Sequence, residues 1–303
     1  MKKITVLLSS YNGHKYIEQL INSVLAQKGV DVRLFIRDDG STDDTLDILS
    51  RYRENNSNVE FYQGSNIGPA YSFLELIGKA PESDYYALCD EDDIWLKDKL
   101  LRAVEKLEDF DEQPAMYYSD LQVVDADLNY IGMMHGPGSK QESRYTSLVD
   151  NDVTGCTVVF NHPLMLLLRR GSPETCLMHD MWINTVVSFF GTRIYDDNAY
   201  ILYRQHGGNV IGAGAGKTSA AERIKQKLSR LQGGNQPRYT NALEFWKIYG
   251  DLLDPADRRE VRKLLDYRKN PAARVRLMAD RKIRAGSRKE DLKYRALIAL
   301  GLI

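Results

Sequence analysis

Cysteine is scarce in this chain of 303 residues, which contains only Cys89, Cys156 and Cys176. An odd number without a Cys-x-x-Cys pair does not build a disulfide framework and indicates reduced, mostly buried thiols in a cytosolic compartment. No uncharged apolar run approaches the ~20 residues needed to cross a bilayer. The first apolar run follows Met1 almost directly, so we expect no signal peptide. These shortages favour a cytoplasmic enzyme, with room for one large domain and an appendage.

Charge is unevenly distributed, although the whole chain has a net charge of −1. Residues 1–216 carry 19 Lys+Arg and 32 Asp+Glu, a net charge of −13. Residues 217–303 carry 22 Lys+Arg and 10 Asp+Glu, a net charge of +12. Glycine recurs from residue 207 to residue 216, which is the composition of a flexible linker. We therefore predict a large domain over 1–212 and a basic helical C-terminal region over 213–303.

The basic C-terminal region shows helical spacing of apolar residues and ends in the apolar segment Ala296–Ile303. The helical groups are Ile224, Leu228 and Leu231, then Leu243, Phe245, Trp246, Ile248 and Tyr249, then Val261, Leu264 and Leu265. Basic helices beside an apolar segment predict that residues 217–303 contact an anionic membrane surface. The alternative is a helical face packed on the large domain or on a second subunit of a homo-oligomer. Nucleic acid is not an expected partner, because the region has no nucleic-acid fold signature.

Four consecutive acids, Asp90, Glu91, Asp92 and Asp93, follow the apolar run Tyr85–Cys89, which predicts a buried strand. Carboxylates so close together repel one another, and burial disfavours their ionised form. A hard divalent cation such as Mg²⁺ or Mn²⁺ would relieve that repulsion. The alternative is a solvated acidic turn before a helix, where acids favour the positive end of the helix dipole.

Two further predicted strands also end in polar turns. The turns are Ser9–Gly13 after Ile4–Leu8 and Asp38–Gly40 after Val32–Ile36. Ser41 or Thr42 is expected to cap the helix after the second turn. Three strands that deliver polar groups at the same edge of one parallel sheet predict a binding site there, because ligands of α/β sheets bind outside the carboxyl ends of the strands.

An ordered set of motifs across roughly residues 1–212 resembles family 2 glycosyltransferases. The motifs are Leu8–Gly13, Asp38–Asp43, Asn66–Gly68, the DXD-type Asp90–Trp95, His179–Asp180 and Tyr203–Asn209. Each motif alone is weak, but the ordered set is highly specific. Asp93–Trp95, His179–Trp182 and the Arg-Gln-His-Gly-Gly-Asn stretch resemble the bacterial rhamnosyltransferase-like branch. The resemblance implies an α/β fold of the GT-A type, with a Rossmann-like, mostly parallel sheet flanked by helices and a C-terminal helical appendage.

The resemblance also implies a metal site and a catalytic base. Asp92, the last residue of the DXD motif, is the expected ligand of Mn²⁺ or Mg²⁺, with Asp90 contributing through the ribose or a bound water. His206 is expected either to be a third ligand or to play a structural part. Asp180 is the expected catalytic base, which takes the proton of the acceptor hydroxyl. The alternative for Asp180 is a capping role, because it opens an amphipathic helix.

Further residues are expected to line the donor and acceptor. Asp39 is the main residue expected to recognise the nucleotide base, together with Asp38, because a carboxylate accepts the N3–H of uracil or thymine. The other expected contacts are Ser9 and Tyr11 at the base, Gly155 in the loop between donor and acceptor, Trp182 against the sugar or in the core, and Arg204 at the phosphates.

The expected function is inverting, metal-dependent transfer of a sugar from a nucleotide-sugar donor to a hydroxyl of a lipid-linked saccharide. Rhamnose from dTDP-rhamnose is the first choice of donor and UDP-sugars are the second. The expected biology is bacterial surface polysaccharide synthesis by a cytoplasmic protein held peripherally at the inner face of the membrane. A nucleotidyltransferase and a non-catalytic nucleotide-sugar-binding scaffold are the alternatives. The stretch Gly212–Thr218 resembles a P-loop, but its first glycine is one residue too close to the Gly-Lys pair.

Overall fold

The computed structural model describes residues 1–135, 143–206 and 236–303. These form two compact units. The first contains the described residues 1–135, 153–172 and 178–206, and the second contains 143–152, 173–177 and 236–303. The glycine-rich segment, the P-loop-like stretch and the predicted boundary after residue 212 lie outside the described residues, so the division into 1–212 and 213–303 stays a prediction.

The first unit alternates strands and helices along its first half. Its elements are β1 (Lys3–Ser10), α1 (Ile17–Leu25), β2 (Asp31–Asp38), α2 (Thr45–Asn55), β3 (Val59–Gln63), α3 (Pro69–Lys79), β4 (Tyr85–Asp90), β5 (Ile94–Trp95), α4 (Lys99–Leu107), β6 (Ala115–Val124), β7 (Tyr130–Met133), β8 (Val159–Asn161), α5 (His162–Leu168), α6 (His179–Phe190) and β9 (Thr192–Arg204). The second unit contains α7 (Pro237–Tyr249), α8 (Pro255–Asp266), α9 (Pro271–Met278) and α10 (Arg288–Leu300).

The strands form one sheet in the order β3-β2-β1-β4-β8-β6-β9-β5, with β7 paired to β6. The first four strands in this order are parallel, as are β6 and β9, whereas β8 is antiparallel to both of its neighbours. The predicted α/β fold is confirmed, with a largely parallel sheet, flanking helices and helices at the C-terminus.

Helix α1 shows why the sequence folds in this way. Its apolar residues recur every three or four positions, so Ile17, Leu20, Ile21 and Val24 lie on one face and are all completely buried. They pack in the cluster that also contains the apolar residues of β1, β2 and β4. Burying a large aliphatic side chain contributes about 1.5–3 kcal/mol, so this face fixes α1 against the sheet.

The strands extend further than the apolar runs predicted, because β1, β2 and β4 end within the polar motifs, at Ser10, Asp38 and Asp90. The expected cap of α2 is wrong. The helix begins at Thr45, after Asp44, and the Ser41 hydroxyl donates instead to the Asp38 carboxylate.

The second unit is built from capped helices. Asp254, Asn270 and Ser287 each accept a backbone N–H at the start of α8, α9 and α10, respectively. The unit also holds two segments from earlier in the chain. Asp257 accepts from Arg144 at 3.0 Å, and Glu244 accepts from the backbone N–H of Glu174 at 2.9 Å.

The apolar spacing after residue 236 correctly predicts α7 and α8, whereas the group from Ile224 to Leu231 lies outside the described residues. The thiols of Cys89 and Cys156 are buried and free, as expected.

Candidate active site

Three strand ends meet at one edge of the sheet. In the parallel register Ser9 of β1 lies beside Arg37 of β2 on one side and beside Asp90 of β4 on the other. The next residue, Ser10, lies beside Asp38. The polar motifs therefore come together because the register of β1, β2 and β4 places their carboxyl ends side by side, as the sequence predicts.

Asp38 organises the turn after β2. Its carboxylate accepts from the backbone N–H of Gly40 at 3.1 Å and of Ser41 at 2.9 Å, and from the hydroxyls of Ser41 at 2.5 Å and Ser10 at 3.3 Å. Gly40 has a φ of +84°, which favours glycine. Two of these bonds fall on each oxygen of the buried side chain, which uses the acceptor capacity of the carboxylate, so Asp38 contributes to the site by shaping the turn.

Asp39 closes a second turn and is paired with a buried cation. Its carboxylate accepts from the backbone N–H of Ile67 at 2.9 Å and of Gly68 at 2.8 Å. It also accepts from Arg37 at 2.5 Å. Arg37 and Asp39 are 1% and 2% exposed, so this is a buried pair whose charged groups are satisfied by protein partners.

Arg37 links this turn to α3 and β1, and sequence reasoning overlooked it. Its guanidinium also donates to Glu75 at 3.1 Å, to the Ser65 carbonyl at 3.0 Å and to the Ser72 hydroxyl at 3.2 Å. The Ser72 hydroxyl lies 2.6 Å from that of Ser9. The available signal was an arginine directly after an apolar strand and two residues before an aspartate.

The DXD turn concentrates negative charge. Burial, together with repulsion from Asp92 and Asp180, raises the pKa of Asp90 to about 7. Burial also raises the pKa of Glu91 and of Asp93 well above their ordinary values, and repulsion from Asp92 and Asp90 adds to it. Within the described residues, one buried oxygen of Asp93 has no hydrogen-bond partner.

His206 meets this turn from the end of β9. Its Nε2 lies 2.9 Å from the Oδ2 of Asp92, and its ring packs on Tyr16 with centroids 4.9 Å apart. The pKa of Asp92 is raised, because burial outweighs the opposing effect of His206.

Arg204 supports the turn and does not face a phosphate, contrary to expectation. It is 3% exposed, and all three guanidinium nitrogens donate to protein oxygens. The acceptors are the Asp92 carbonyl at 2.9 Å, the Ala126 carbonyl at 2.6 Å and the Gln19 side chain at 2.9 Å. Arg204 therefore positions the backbone of Asp92.

Asp180 lies in the first turn of α6, next to the Gly155 loop. Met178, the residue before the helix, forms no capping hydrogen bond with its side chain. The Asp180 carboxylate accepts a hydrogen bond from the backbone N–H of Met181 at 2.7 Å. A side chain at Gly155 would come within 2.7 Å of His179 Nε2 and within 3.6 Å of the Asp180 Cβ. The same loop reaches the DXD turn, because the thiol of the next residue, Cys156, lies within 4.8 Å of ligand atoms of Asp90 and Asp93.

His179 fixes the start of α6 and was not assigned a role from the sequence. Its ring stacks on Phe73 of α3, with centroids 3.9 Å apart. It is 4% exposed, and burial lowers its pKa to about 3. The uncharged ring therefore joins α6 to α3 by apolar contact.

Trp182 belongs to the core rather than to an open sugar-binding surface. It is 2% exposed. One of its edges borders a cavity of about 200 Å³ that Leu74, Ile77, Leu168 and Arg169 also line. Tyr11, in contrast, is 45% exposed after the end of β1 and is accessible to a ligand.

The carboxylates fit a hard divalent cation. Asp90, Asp93 and Cys156 have ligand atoms within 4.8 Å of one another, and Asp92 and His206 lie at the same turn. Mg²⁺ and Mn²⁺ prefer oxygen donors, so Asp90 and Asp92 suit them better than the buried thiol does. A cation there would offset the repulsion that raises the pKa of Asp90.

Helices in the described ranges are all too short or too polar to span a membrane.

Comparison with known proteins agrees with the geometry. The model of "Glycosyl transferase family 2" matches residues 5–175, more than half of the chain. A dTDP-rhamnosyl transferase, RfbG of Shigella flexneri, is 27% identical over 259 residues, which cover 78% of this chain and 84% of that protein.

Two solved structures share the fold. TarS residues 1–349 from S. aureus, in complex with UDP-GlcNAc, align with a TM-score of 0.60 at 18% identity, covering 87% of this chain and 70% of that one. The mannosyltransferase PcManGT of Pyrobaculum calidifontis, in complex with GDP-Man and Mn²⁺, aligns with a TM-score of 0.53 at 18% identity. The alignment covers 99% of this chain and 80% of that one. The fold is therefore of the GT-A type. Because the family model matches more than half of its length, the chain belongs to glycosyl transferase family 2.

Proposed function

We propose that this glycosyltransferase transfers a sugar from a nucleotide-sugar donor to a hydroxyl group with inversion at the anomeric carbon. The observation that carries the proposal is the loop of Gly155 and Cys156, which lies against Asp180 and brings the Cys156 thiol within 4.8 Å of a ligand atom of Asp90. A single-displacement reaction requires a base close to the groups that hold the donor. The base must take the proton of the acceptor hydroxyl while the leaving group departs from the donor. Asp180 and the carboxylates expected to bind the donor have this arrangement.

In the proposed reaction the acceptor oxygen attacks the anomeric carbon from the face opposite the diphosphate. Asp180 takes the hydroxyl proton as the new C–O bond forms, and the bond from the anomeric carbon to the β-phosphate oxygen breaks. The transition state has oxocarbenium character, as in glycoside hydrolysis. The loop containing Gly155 leaves room beside Asp180, because a larger residue would meet His179.

Asp92 and Asp90 would hold Mn²⁺ or Mg²⁺, with His206 as a third candidate ligand through the nitrogen that now contacts Asp92. The cation supplies Lewis-acid stabilisation to the charge on the departing nucleoside diphosphate. The protein holds the turn ready through Arg204, which binds the Asp92 carbonyl.

The proposed donor is dTDP-rhamnose, and a UDP-sugar is the second choice. The support is the name of the Shigella relative, a dTDP-rhamnosyl transferase at 27% identity. We assign Tyr11 and Ser9 to the lining of the base; in support, Asp39 donates its backbone N–H to the carbonyl of Ser10, between them, at 2.7 Å, and its carboxylate bonds the backbone at Ile67 and Gly68. We assign Asp39 to recognition of the N3–H of thymine or uracil through its remaining acceptor capacity.

The proposed acceptor is a lipid-linked saccharide in the synthesis of a bacterial surface polysaccharide. An acceptor of this kind is held at the membrane, so the enzyme would work as a cytoplasmic protein attached peripherally to its inner face. The net charge of +12 over residues 217–303 supports attachment to an anionic surface.

A donor panel tests the proposal. The purified chain would be mixed with dTDP-rhamnose, UDP-GlcNAc or GDP-mannose plus Mn²⁺, and release of nucleoside diphosphate and the melting temperature would be measured. We expect dTDP-rhamnose to stabilise the protein most, because a ligand that binds only the folded state raises its stability. If no nucleotide sugar is hydrolysed or raises the melting temperature, the proposed function is wrong.

A further inference from the structure

The second unit exposes apolar side chains beside cations that have no ion-pair partner. Apart from Met1, the most exposed large hydrophobic residues among those described are Leu292 at 70%, Leu300 at 68% and Val275 at 64%. All three lie on α9 and α10, near the C-terminus. Soluble proteins commonly expose single apolar residues, so the meaning of these three depends on what surrounds them.

Basic residues are frequent in the same part of the sequence. Residues 268–303 carry 11 Lys+Arg and 3 Asp+Glu, a net charge of +8. The acids are already paired: Asp291 with Arg295 at 2.8 Å, Asp280 with Lys263 at 2.8 Å, and Glu290 with Lys293. Five exposed basic residues form no ion pair within the described part of the chain: Arg276, Arg281, Arg284, Arg288 and Lys289.

The spacing along α10 places both kinds of residue on one face. Leu292, Ala296 and Leu300 follow one another at intervals of four, and Arg288 and Lys289 precede Leu292 by four and three positions. The opposite face is anchored, since Tyr294 and Ile298 are 1% and 0% exposed.

The apolar C-terminal segment as a whole is therefore not a membrane contact, contrary to what its composition suggested. Ile298 and Ile303 are completely buried, and the hydroxyl of Tyr267 donates to the carbonyl of Ile303 at 3.4 Å. Only part of the segment, chiefly Leu300, faces outward.

We propose that α9 and α10 form a membrane-docking surface for an anionic lipid bilayer. This surface, the α9–α10 surface, consists of Val275, Leu292 and Leu300 with Arg276, Arg281, Arg284, Arg288 and Lys289. The cations bind phosphate headgroups, and the aliphatic side chains enter the boundary between headgroups and acyl chains. The inference rests on the proposed function in one respect: a lipid-linked acceptor lies at the membrane, so the enzyme must reach the membrane surface to use it.

Charge selects this partner over the alternatives. A symmetric dimer in which both copies use this surface would bring two surfaces of the same sign together, which repels. Nucleic acid would be attracted to the cations, but it offers no place to bury the leucines. An anionic bilayer satisfies both features, because it presents negative charge above an apolar layer.

Vesicle pelleting with the full chain tests the surface. Phosphatidylcholine vesicles with and without phosphatidylglycerol would be compared at low and high salt, since the Debye length falls from ~10 Å at 0.1 M to ~3 Å at 1 M. We expect binding only to the anionic vesicles, and weaker binding at high salt. Replacing Arg288 and Lys289 by Gln should lower the partition coefficient by about 30-fold, which equals about 2 kcal/mol at about 1 kcal/mol per basic residue.

Replacing Leu292 and Leu300 by Ser should lower the partition coefficient by at least about 10-fold at both salt concentrations. The loss is the same at both because salt does not screen the burial of apolar side chains. The matched control is Leu252→Ser, which alters another exposed leucine of the second unit. Donor hydrolysis should be unchanged in every variant, so loss of lipid binding and failure of the proposed transfer are separate results.

Three outcomes would overturn the inference. The first is that the wild-type chain does not bind anionic vesicles at low salt. The second is that both double variants bind these vesicles as strongly as the wild type does. The third is a wild-type dimer in sedimentation velocity that the leucine variant abolishes, without any lipid binding, which would assign the surface to a second copy. Melting temperatures close to that of the wild type would verify that the variants are folded, as expected for exposed positions.

Discussion

The Nε2 of His206 and the Oδ2 of Asp92 lie 2.9 Å apart, which joins the end of β9 to the DXD turn. The two residues are 114 positions apart in the sequence. Each side chain already contacts the other in this arrangement. A cation that binds Asp92 must therefore either break this contact or bind both Asp92 and His206. The pair therefore links the acidic turn to the position of His206, two residues after the end of β9.

Cation binding at the DXD turn should strengthen as the pH rises. The pKa of Asp90 is raised to about 7, and a metal binds the ionised carboxylate, so protons compete with the metal below that pH. We expect the apparent affinity for Mn²⁺ to increase up to about tenfold per pH unit between pH 6 and 7 and then to level off. Thermal shift titrations with Mn²⁺ at several pH values measure this. A constant affinity across the range would contradict it.

Asp92→Asn should reduce transfer by at least about 100-fold, because an anionic ligand of the cation that would stabilise the leaving group is lost. Excess chelator should have the same effect on the wild type. The control is Asp98→Asn, which alters a carboxylate with 46% exposure that pairs only with Arg102 among the contacts described. Full activity of the wild type in chelator would show that no metal is required.

Asp180→Asn should lower kcat by about 10²–10⁴-fold while donor binding stays near that of the wild type. The amide keeps the shape of the side chain but cannot take the acceptor proton. Steady-state kinetics and a donor-binding titration separate the two effects, and Asp197→Asn, at an exposed position of β9, is the matched control. A variant with wild-type turnover would reduce Asp180 to a structural residue of α6.

Arg37→Lys should raise the KM for the donor more than it lowers kcat. Lysine keeps the charge but cannot reach Asp39, Glu75 and Ser65 together, and a hydrogen bond to a charged group contributes about 1.5–3 kcal/mol. The expected change in KM is at least about tenfold. Arg33→Lys on the same strand is the control, because its pair with Glu60 is exposed. Equal losses in both variants would argue against a positioning role.

His179 should make the fold sensitive to acid. Its pKa is lowered to about 3 in the folded protein, against an ordinary value of 6.5, so between these values the unfolded chain binds the proton and the folded chain does not. Stability therefore falls as the pH drops below 6.5, by about 2 kcal/mol at pH 5 from this one group.

Urea unfolding of the wild type and of His179→Asn at pH 7 and pH 5 tests this. The variant should lose about 2 kcal/mol less than the wild type between the two pH values. The variant His14→Asn, at an exposed position, controls for the loss of a histidine as such. An identical pH dependence in the wild type and in His179→Asn would show that His179 titrates normally.

The sequence by itself determined three strands of the sheet, several helices and the edge of the sheet where the site lies. Apolar runs that end in acids and serines predict β1, β2 and β4 and place Ser9, Asp38 and Asp90 together, because parallel strands align their carboxyl ends. Local spacing also identifies helices such as α1, because its period follows directly from the backbone geometry.

Only the tertiary structure decided what the individual side chains contact. Arg204 binds three oxygens that are distant in the sequence, Arg37 becomes the buried partner of Asp39, and His179 stacks on Phe73. In the C-terminal segment, folding buries Ile298 and leaves Leu300 exposed. Composition cannot decide these outcomes, because they depend on which groups long-range packing brings within hydrogen-bonding or van der Waals distance.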